Sequence, residues 1–107
     1  MDLVNIKDAT EWFEVLQTSG KSQTAVMTLK PGKSSGAKEG HKASDQVLLL
    51  LEGELEGELG SEKTALKKGD VVLIPAGVKH RFANHSNKEA VTFNVYSPPE
   101  YPADTKG

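Results

Sequence analysis

The sequence predicts an all-β domain, either a sandwich or a small barrel. Three observations carry this reading. Short runs of apolar and β-branched residues recur at even spacing along the 107-residue chain, separated by glycine- or proline-containing turns. Counted generously they make roughly eight to ten strands, a pattern of all-β folds. One run, Gln23 to Leu29, alternates with period two: Thr24, Val26 and Thr28 stand against Ala25, Met27 and Leu29. Another, Gln46 to Glu52, is apolar on both faces. In a chain this small, such a strand needs a second covering layer.

The elements follow in order. Asp8-Ala9-Thr10-Glu11 has the form of a capping box, which predicts one helical turn near Glu11 and Trp12. Trp12 to Gln17 reads as the first strand, Ser19-Gly20-Lys21 as a hairpin turn, and Gln23 to Leu29 as the second strand, closed by Pro31-Gly32. Lys33 to Gly40 is polar and glycine-containing, so it reads as a loop. Glu39 and His41 end it two residues apart, and in extended chain they share a face. Lys42 to Asp45 turns into the strand that begins at Gln46. Its two faces carry Gln46, Leu48 and Leu50 on one side and Val47, Leu49 and Leu51 on the other. One set fills the barrel; the other is expected to meet another subunit or the N-terminal strand. Gly53 relieves the bend into Glu54 to Leu59, and Gly60-Ser61-Glu62 turns back into Lys63 to Leu66. Glu52, Glu54, Glu56 and Glu58 read as a solvated hairpin edge, where charge opposes edge-to-edge pairing. After the turn Lys67 to Asp70, Val71 to Ile74 is expected as a buried strand. A polar turn from Asn84 to Lys88 leads to the last strand, Glu89 to Tyr96, and Ser97-Pro98-Pro99 ends the pairing. The tail through Tyr101 is expected to lie extended on the body and to fray near Gly107.

Composition bounds the function. At this length one domain, residues 1–107, is expected. There is no cysteine, which excludes disulfides, thiolate metal sites and cysteine nucleophiles. The formal net charge is -2 with both signs dispersed, so no basic stripe suggests a nucleic-acid partner. The longest apolar run, Val47 to Leu51, is too short to span a bilayer, and Met1 to Asn5 carries no basic, apolar signal segment. A cytoplasmic protein with no membrane partner is the expectation. No nucleophile elbow and no phosphate-cradling glycine loop is present.

The stretch with the most chemistry runs from Gly69 to Asn84. Pro75 ends a strand, Gly77 permits the positive φ of a tight turn, and His80 follows at a fixed place. A histidine so held is a candidate metal ligand or proton-transfer group. Arg81, its neighbour, should point the other way. Trp12, Phe82, Phe93 and Tyr96 read as core, and His85 as exposed in its turn.

The spacing of Gly69, Pro75, Gly77, His80 and Asn84 resembles the second motif of the cupin superfamily, with every fixed position filled. The resemblance implies a jelly-roll barrel, the double-stranded β-helix, and a metal-binding histidine at His80. The first cupin motif ends on a glycine that Gly53 fits. Counting back from it puts Gln46 at the usual glutamate, and Glu39 and His41 at the usual pair of histidines. The resemblance therefore implies Glu39, His41, Gln46 and His80 as ligands of a divalent ion, with iron, manganese, zinc and nickel all compatible. Two positions depart from the family pattern: a carboxylate replaces one histidine and a neutral amide replaces the glutamate. The loss of an anionic ligand implies weaker, partial occupancy. Gln46 also reads as a residue that satisfies buried backbone groups, and Glu39 as a solvated carboxylate. Two functions stay open: a metal-dependent dioxygenase or isomerase of a small polar molecule, or a module that binds such a molecule without turnover. A homodimer is the expected assembly.

Overall fold

The computed structural model describes residues 1–107. Eight strands form two antiparallel sheets: β1 (Phe13–Thr18), β2 (Gln23–Leu29), β3 (Asp45–Glu52), β4 (Glu54–Leu59), β5 (Glu62–Lys67), β6 (Val71–Ile74), β7 (His80–Ala83) and β8 (Ala90–Ser97). The larger sheet runs β1-β2-β8-β3-β6 and the smaller β5-β4-β7. Their inner faces pack together, as inward-facing residues of two sheets do in a jelly roll. β2 and β3 contribute Met27, Leu29, Leu48 and Leu50 to the core, the smaller sheet Leu55, Leu66 and Phe82. The alternation read from Gln23 to Leu29 fails at one place: Val26, on the outer face, is buried as well.

Gly53 is the hinge between the sheets. β3 carries a bulge at Leu50/Glu52, and the chain then turns at Gly53 with φ 84°. A Cβ there would run into the carbonyl oxygen of Glu89 and come within 2.9 Å of the Ala90 Cα. Only a residue without a Cβ lets β3 fold over into β4 so close to the start of β8.

Several expectations need correction. The helical turn is at Ile6–Asp8, where the Asn5 side chain accepts from the Lys7 N–H; the Thr10 N–H donates instead to Glu14 Oε1, so no capping box closes at Asp8. β6 is an edge strand rather than a buried one, and Val71 and Leu73 are 64% and 61% exposed. Trp12 is 48% exposed and sits outside the core, and Phe93 is half-buried; Phe82 and Tyr96 are buried as read. Glu58 is no solvated edge residue: it is the shared partner of Lys38 (3.7 Å), Lys63 (3.9 Å) and Arg81 (4.0 Å).

The two faces of β3 divide as the pattern requires. Gln46, Leu48 and Leu50 are buried inside, while Val47 is exposed and Leu49 and Leu51 are half-buried. On the outer face Val47 stands opposite Leu73 and Leu49 opposite Val71, which extends the apolar surface to the sheet edge. No helix is long and apolar enough to cross a membrane.

Segment 98–107 does not fray; it is strapped to the body. The Gln23 side chain, itself 1% exposed, accepts from the N–H groups of Glu100 (3.1 Å) and Tyr101 (3.0 Å) and donates to the Tyr101 carbonyl (2.8 Å). The Ser44 hydroxyl donates to the Pro98 carbonyl. Further on, the Val15 N–H donates to Thr105 O and the Gly107 N–H to Phe13 O, so the segment lies along the free edge of β1.

Candidate functional site

Two histidines meet at one end of the barrel. The turn Pro75–Val78 is closed by the Val78 N–H donating to the Pro75 carbonyl, with Gly77 at φ 85°. The Gly77 N–H donates to the His41 carbonyl (2.6 Å), and Gly40 packs against Gly77 and Val78 with its Cβ position 3.1 Å from their backbone atoms. Glu39 and His80 exchange both backbone hydrogen bonds. These contacts fix the loop before β3 against the start of β7 and bring the His41 and His80 rings to a 4.8 Å centroid separation.

The ring of each histidine has a defined proton. The Nδ1–H of His80 donates to the Val78 carbonyl at 2.9 Å, which leaves Nε2 as a lone pair in the neutral ring. Burial lowers the His80 pKa below its ordinary value; the hydrogen bond to Val78 opposes this and the nearby His41 adds to it. The proton of His41 is set by a relay through the barrel. The Thr92 hydroxyl donates to the Met27 carbonyl, so Thr92 Oγ1 accepts from the Asn94 amide (2.9 Å). Asn94 Oδ1 then accepts from the Gln46 amide nitrogen (2.9 Å), which turns the Gln46 oxygen toward His41 Nε2 at 2.8 Å. That oxygen can only accept, so His41 Nε2 carries a hydrogen. The far nitrogen, Nδ1, faces Glu100 Oε2 at 3.5 Å.

Two tyrosines complete the surroundings. The rings of Tyr96 and Tyr101 meet edge to face at 5.3 Å, and Tyr96 lies 5.3 Å from the His41 ring. Burial pushes both phenols above their ordinary range. The charge of Glu100 adds to the rise in both, and that of Glu39 adds to the rise in Tyr101.

The four residues expected from the sequence are therefore differently placed. His41, Gln46 and His80 come together. Gln46 is 4% exposed and every buried side-chain polar atom here has a partner. Glu39 is exposed, joined to His80 through backbone alone. Glu100, Tyr101, Asn94 and Thr92 belong to the site and were not expected. Tyr101 and Glu100 stand among three prolines, Pro98, Pro99 and Pro102, a sign that the segment is held rather than loose.

As arranged, the residues do not fit a resident divalent ion. No group of three or more histidines and carboxylates is placed to hold one. The Nε2 of His41 and the oxygen of Gln46 are spent on each other. A shell needs at least three or four convergent free donors.

A cavity of about 910 Å³ lies elsewhere, on the outer face of the larger sheet under residues 6–12, and is lined by Trp12, Val26, Leu51 and Val91 among others. It has none of the polar groups that converge at His41 and His80.

Comparison with known proteins agrees with the barrel. An uncharacterized protein of Acanthamoeba polyphaga mimivirus is 32% identical over 108 residues, covering 94% of this chain and 67% of its own length. Matches to curated relatives from Streptomyces coelicolor and Bacillus subtilis span 54% and 60% of those proteins' lengths. The structure of BH2720 from Bacillus halodurans superposes with a TM-score of 0.89 at 27% identity over 97% of this chain and 86% of that one. A sugar phosphate isomerase of the cupin superfamily from Silicibacter pomeroyi shares the fold, with a TM-score of 0.72 at 21% identity over 82% of this chain and 60% of its own. The cupin domain family model matches residues 25–96, from the second strand to Tyr96, and the chain belongs to that family.

Proposed function

We propose that this chain binds a small polar molecule at the barrel end where His41 and His80 meet, with no resident metal required. The observation that supports it most is the relay from the Met27 carbonyl through Thr92, Asn94 and Gln46 to His41. It consumes the donor atoms that a cupin ion would take and holds His41 as a fixed hydrogen-bonding group. His80 Nε2 and His41 Nδ1 are left as the groups for a ligand to meet. A metal-dependent dioxygenase or isomerase would need Gln46 to release His41 and Glu39 to turn inward. The deciding measurement is metal content of protein purified without chelator or nickel resin, with melting temperature read after adding iron(II), manganese, zinc or nickel. Substoichiometric metal and no shift support the binding module. One ion per chain, tightened by Gln46→Glu, overturns it in favour of the metal enzyme.

The assembly reading is a homodimer through the outer face of the larger sheet. Val47, Val71 and Leu73 form a contiguous exposed apolar surface, a composition that surface residues of a lone barrel do not need. A stable pair should bury about 1,200 Å² or more. Sedimentation should give a dimer for the parent protein and a monomer for Leu73→Glu. A monomer for both would end the claim.

A further inference from the structure

The C-terminal segment brings a carboxylate to the histidine pair that neither cupin motif supplies. Gln23 holds both the N–H and the carbonyl of Tyr101 and the N–H of Glu100, so the Glu100 backbone is fixed beside the histidines by a buried clamp. It is the group facing His41 Nδ1, at 3.5 Å. That separation is longer than an N–H···O hydrogen bond, about 2.7–3.2 Å. The Glu100 carboxylate is thus not committed to His41 by a hydrogen bond. On the other side, the His80 Nε2 is a lone pair because Nδ1 donates to Val78. The amide N–H groups of the relay are directed away from the site, that of Gln46 to Asn94 Oδ1 and that of Asn94 to Thr92 Oγ1.

We infer that Glu100 is a ligand-binding residue of this site, and that the site selects small molecules that offer O–H or N–H donors and carry no phosphate or carboxylate. The groups that meet a ligand are acceptors: the Glu100 carboxylate and the His80 imidazole lone pair. An anion would enter against the charge of Glu100. Of the three cations next to the histidines in sequence, Arg81 is turned away onto the Gly36 carbonyl and Glu58, and Lys42 and Lys79 are exposed. An amine or polyhydroxyl compound would instead bridge Glu100 and His80, its donors satisfied by charge-assisted hydrogen bonds.

This inference rests on the proposed binding role, and the test separates the two. Ring nitrogen and proton resonances of His41 and His80 would be followed in labelled protein during titration with four probes: ethanolamine, erythritol, inorganic phosphate and succinate. Ethanolamine or erythritol should shift both rings, and phosphate and succinate should not at equal concentration. In Glu100→Gln, ethanolamine binding should weaken by roughly tenfold or more, the loss of one hydrogen bond to a charged group. The circular dichroism spectrum should stay unchanged, because the Glu100 side chain is partly solvated and is not part of the strap. Tighter binding of phosphate or succinate at these rings, or unaltered ethanolamine binding in Glu100→Gln, overturns the ligand class while leaving the binding site. If none of the four probes moves either ring, the binding role falls and this inference with it.

Discussion

Gly53→Ala should be among the most damaging single-methyl changes in this chain, for a reason that can be worked out atom by atom. Gly53 has φ 84°, where an L residue costs about 1–2 kcal/mol. The added Cβ also meets the Glu89 carbonyl oxygen and, at 2.9 Å, the Ala90 Cα. Both obstacles are backbone, and Ala90 is fully buried at the start of β8, so neither can swing aside as a side chain would. Forced displacement of packed backbone adds about 1–3 kcal/mol, giving a total of about 2–5 kcal/mol. Gly32→Ala is the control. Gly32 has nearly the same φ, 81°, but open space around its Cβ position. The two substitutions share the positive-φ penalty and the unfolded-state entropy change, so their difference isolates the clash. Urea unfolding of parent, Gly53→Ala and Gly32→Ala would measure it, with equal m-values as the condition for comparison. Losses that agree within about 0.5 kcal/mol would refute the steric argument and leave conformational strain as the whole effect.

Three further outcomes are expected. Asn94→Leu should destabilise by about 1–3 kcal/mol, because the Gln46 amide and Thr92 hydroxyl lose a buried partner; His41 ring resonances should broaden, and a sharp, unshifted His41 ring would argue against the relay. Gln23→Ala should free segment 98–107, read as faster amide exchange at Glu100 and Tyr101; unchanged protection would show that the β1 edge contacts hold the segment alone. Unfolding free energy should fall at both ends of the pH scale. His80 has a lowered native pKa, so below about 6.5 the unfolded chain binds the extra proton and stability drops until the lowered value is passed. Tyr96 and Tyr101 are raised, so above about 10 the unfolded chain loses protons the native state keeps, and stability drops again. His80→Asn should flatten the acid limb and leave the alkaline one, and an acid limb that survives the substitution would remove His80 as its source.

What the sequence made legible was local. Period-two alternation and glycine or proline turns placed every strand within a few residues, because both signals act between near neighbours. The motif spacing placed His80 after its turn for the same reason. What failed was set by distant partners. Val71 to Ile74 looks buried because four apolar residues carry no sign of edge or centre; strand order alone decides that. Asp8 and Asn5 are both credible caps, and the β-forming residues after Trp12 leave the Asp8 box no helix to start. Glu58 reads as solvated until Lys38 and Arg81 arrive from other elements. Glu100 was invisible because its orientation depends on Gln23, on the second strand at the other end of the chain.

The strap along β1 also decides how copies of this sheet can add to one another. Its five strands have two ends, β1 and β6. At the β1 end the N–H of Val15 and the carbonyl of Phe13 are already engaged by Thr105 and Gly107. At the β6 end the strand is short and stops at Pro75, which has no N–H to offer. Growth of a fibre needs each molecule to present two complementary open edges, so that every addition recreates a site for the next. With the β1 edge sealed, a strand-to-strand contact through this sheet must use β6, and the smaller sheet leaves β5 as its outer strand. The segment that carries Glu100 to His41 thereby also closes one sheet edge to strand pairing between molecules.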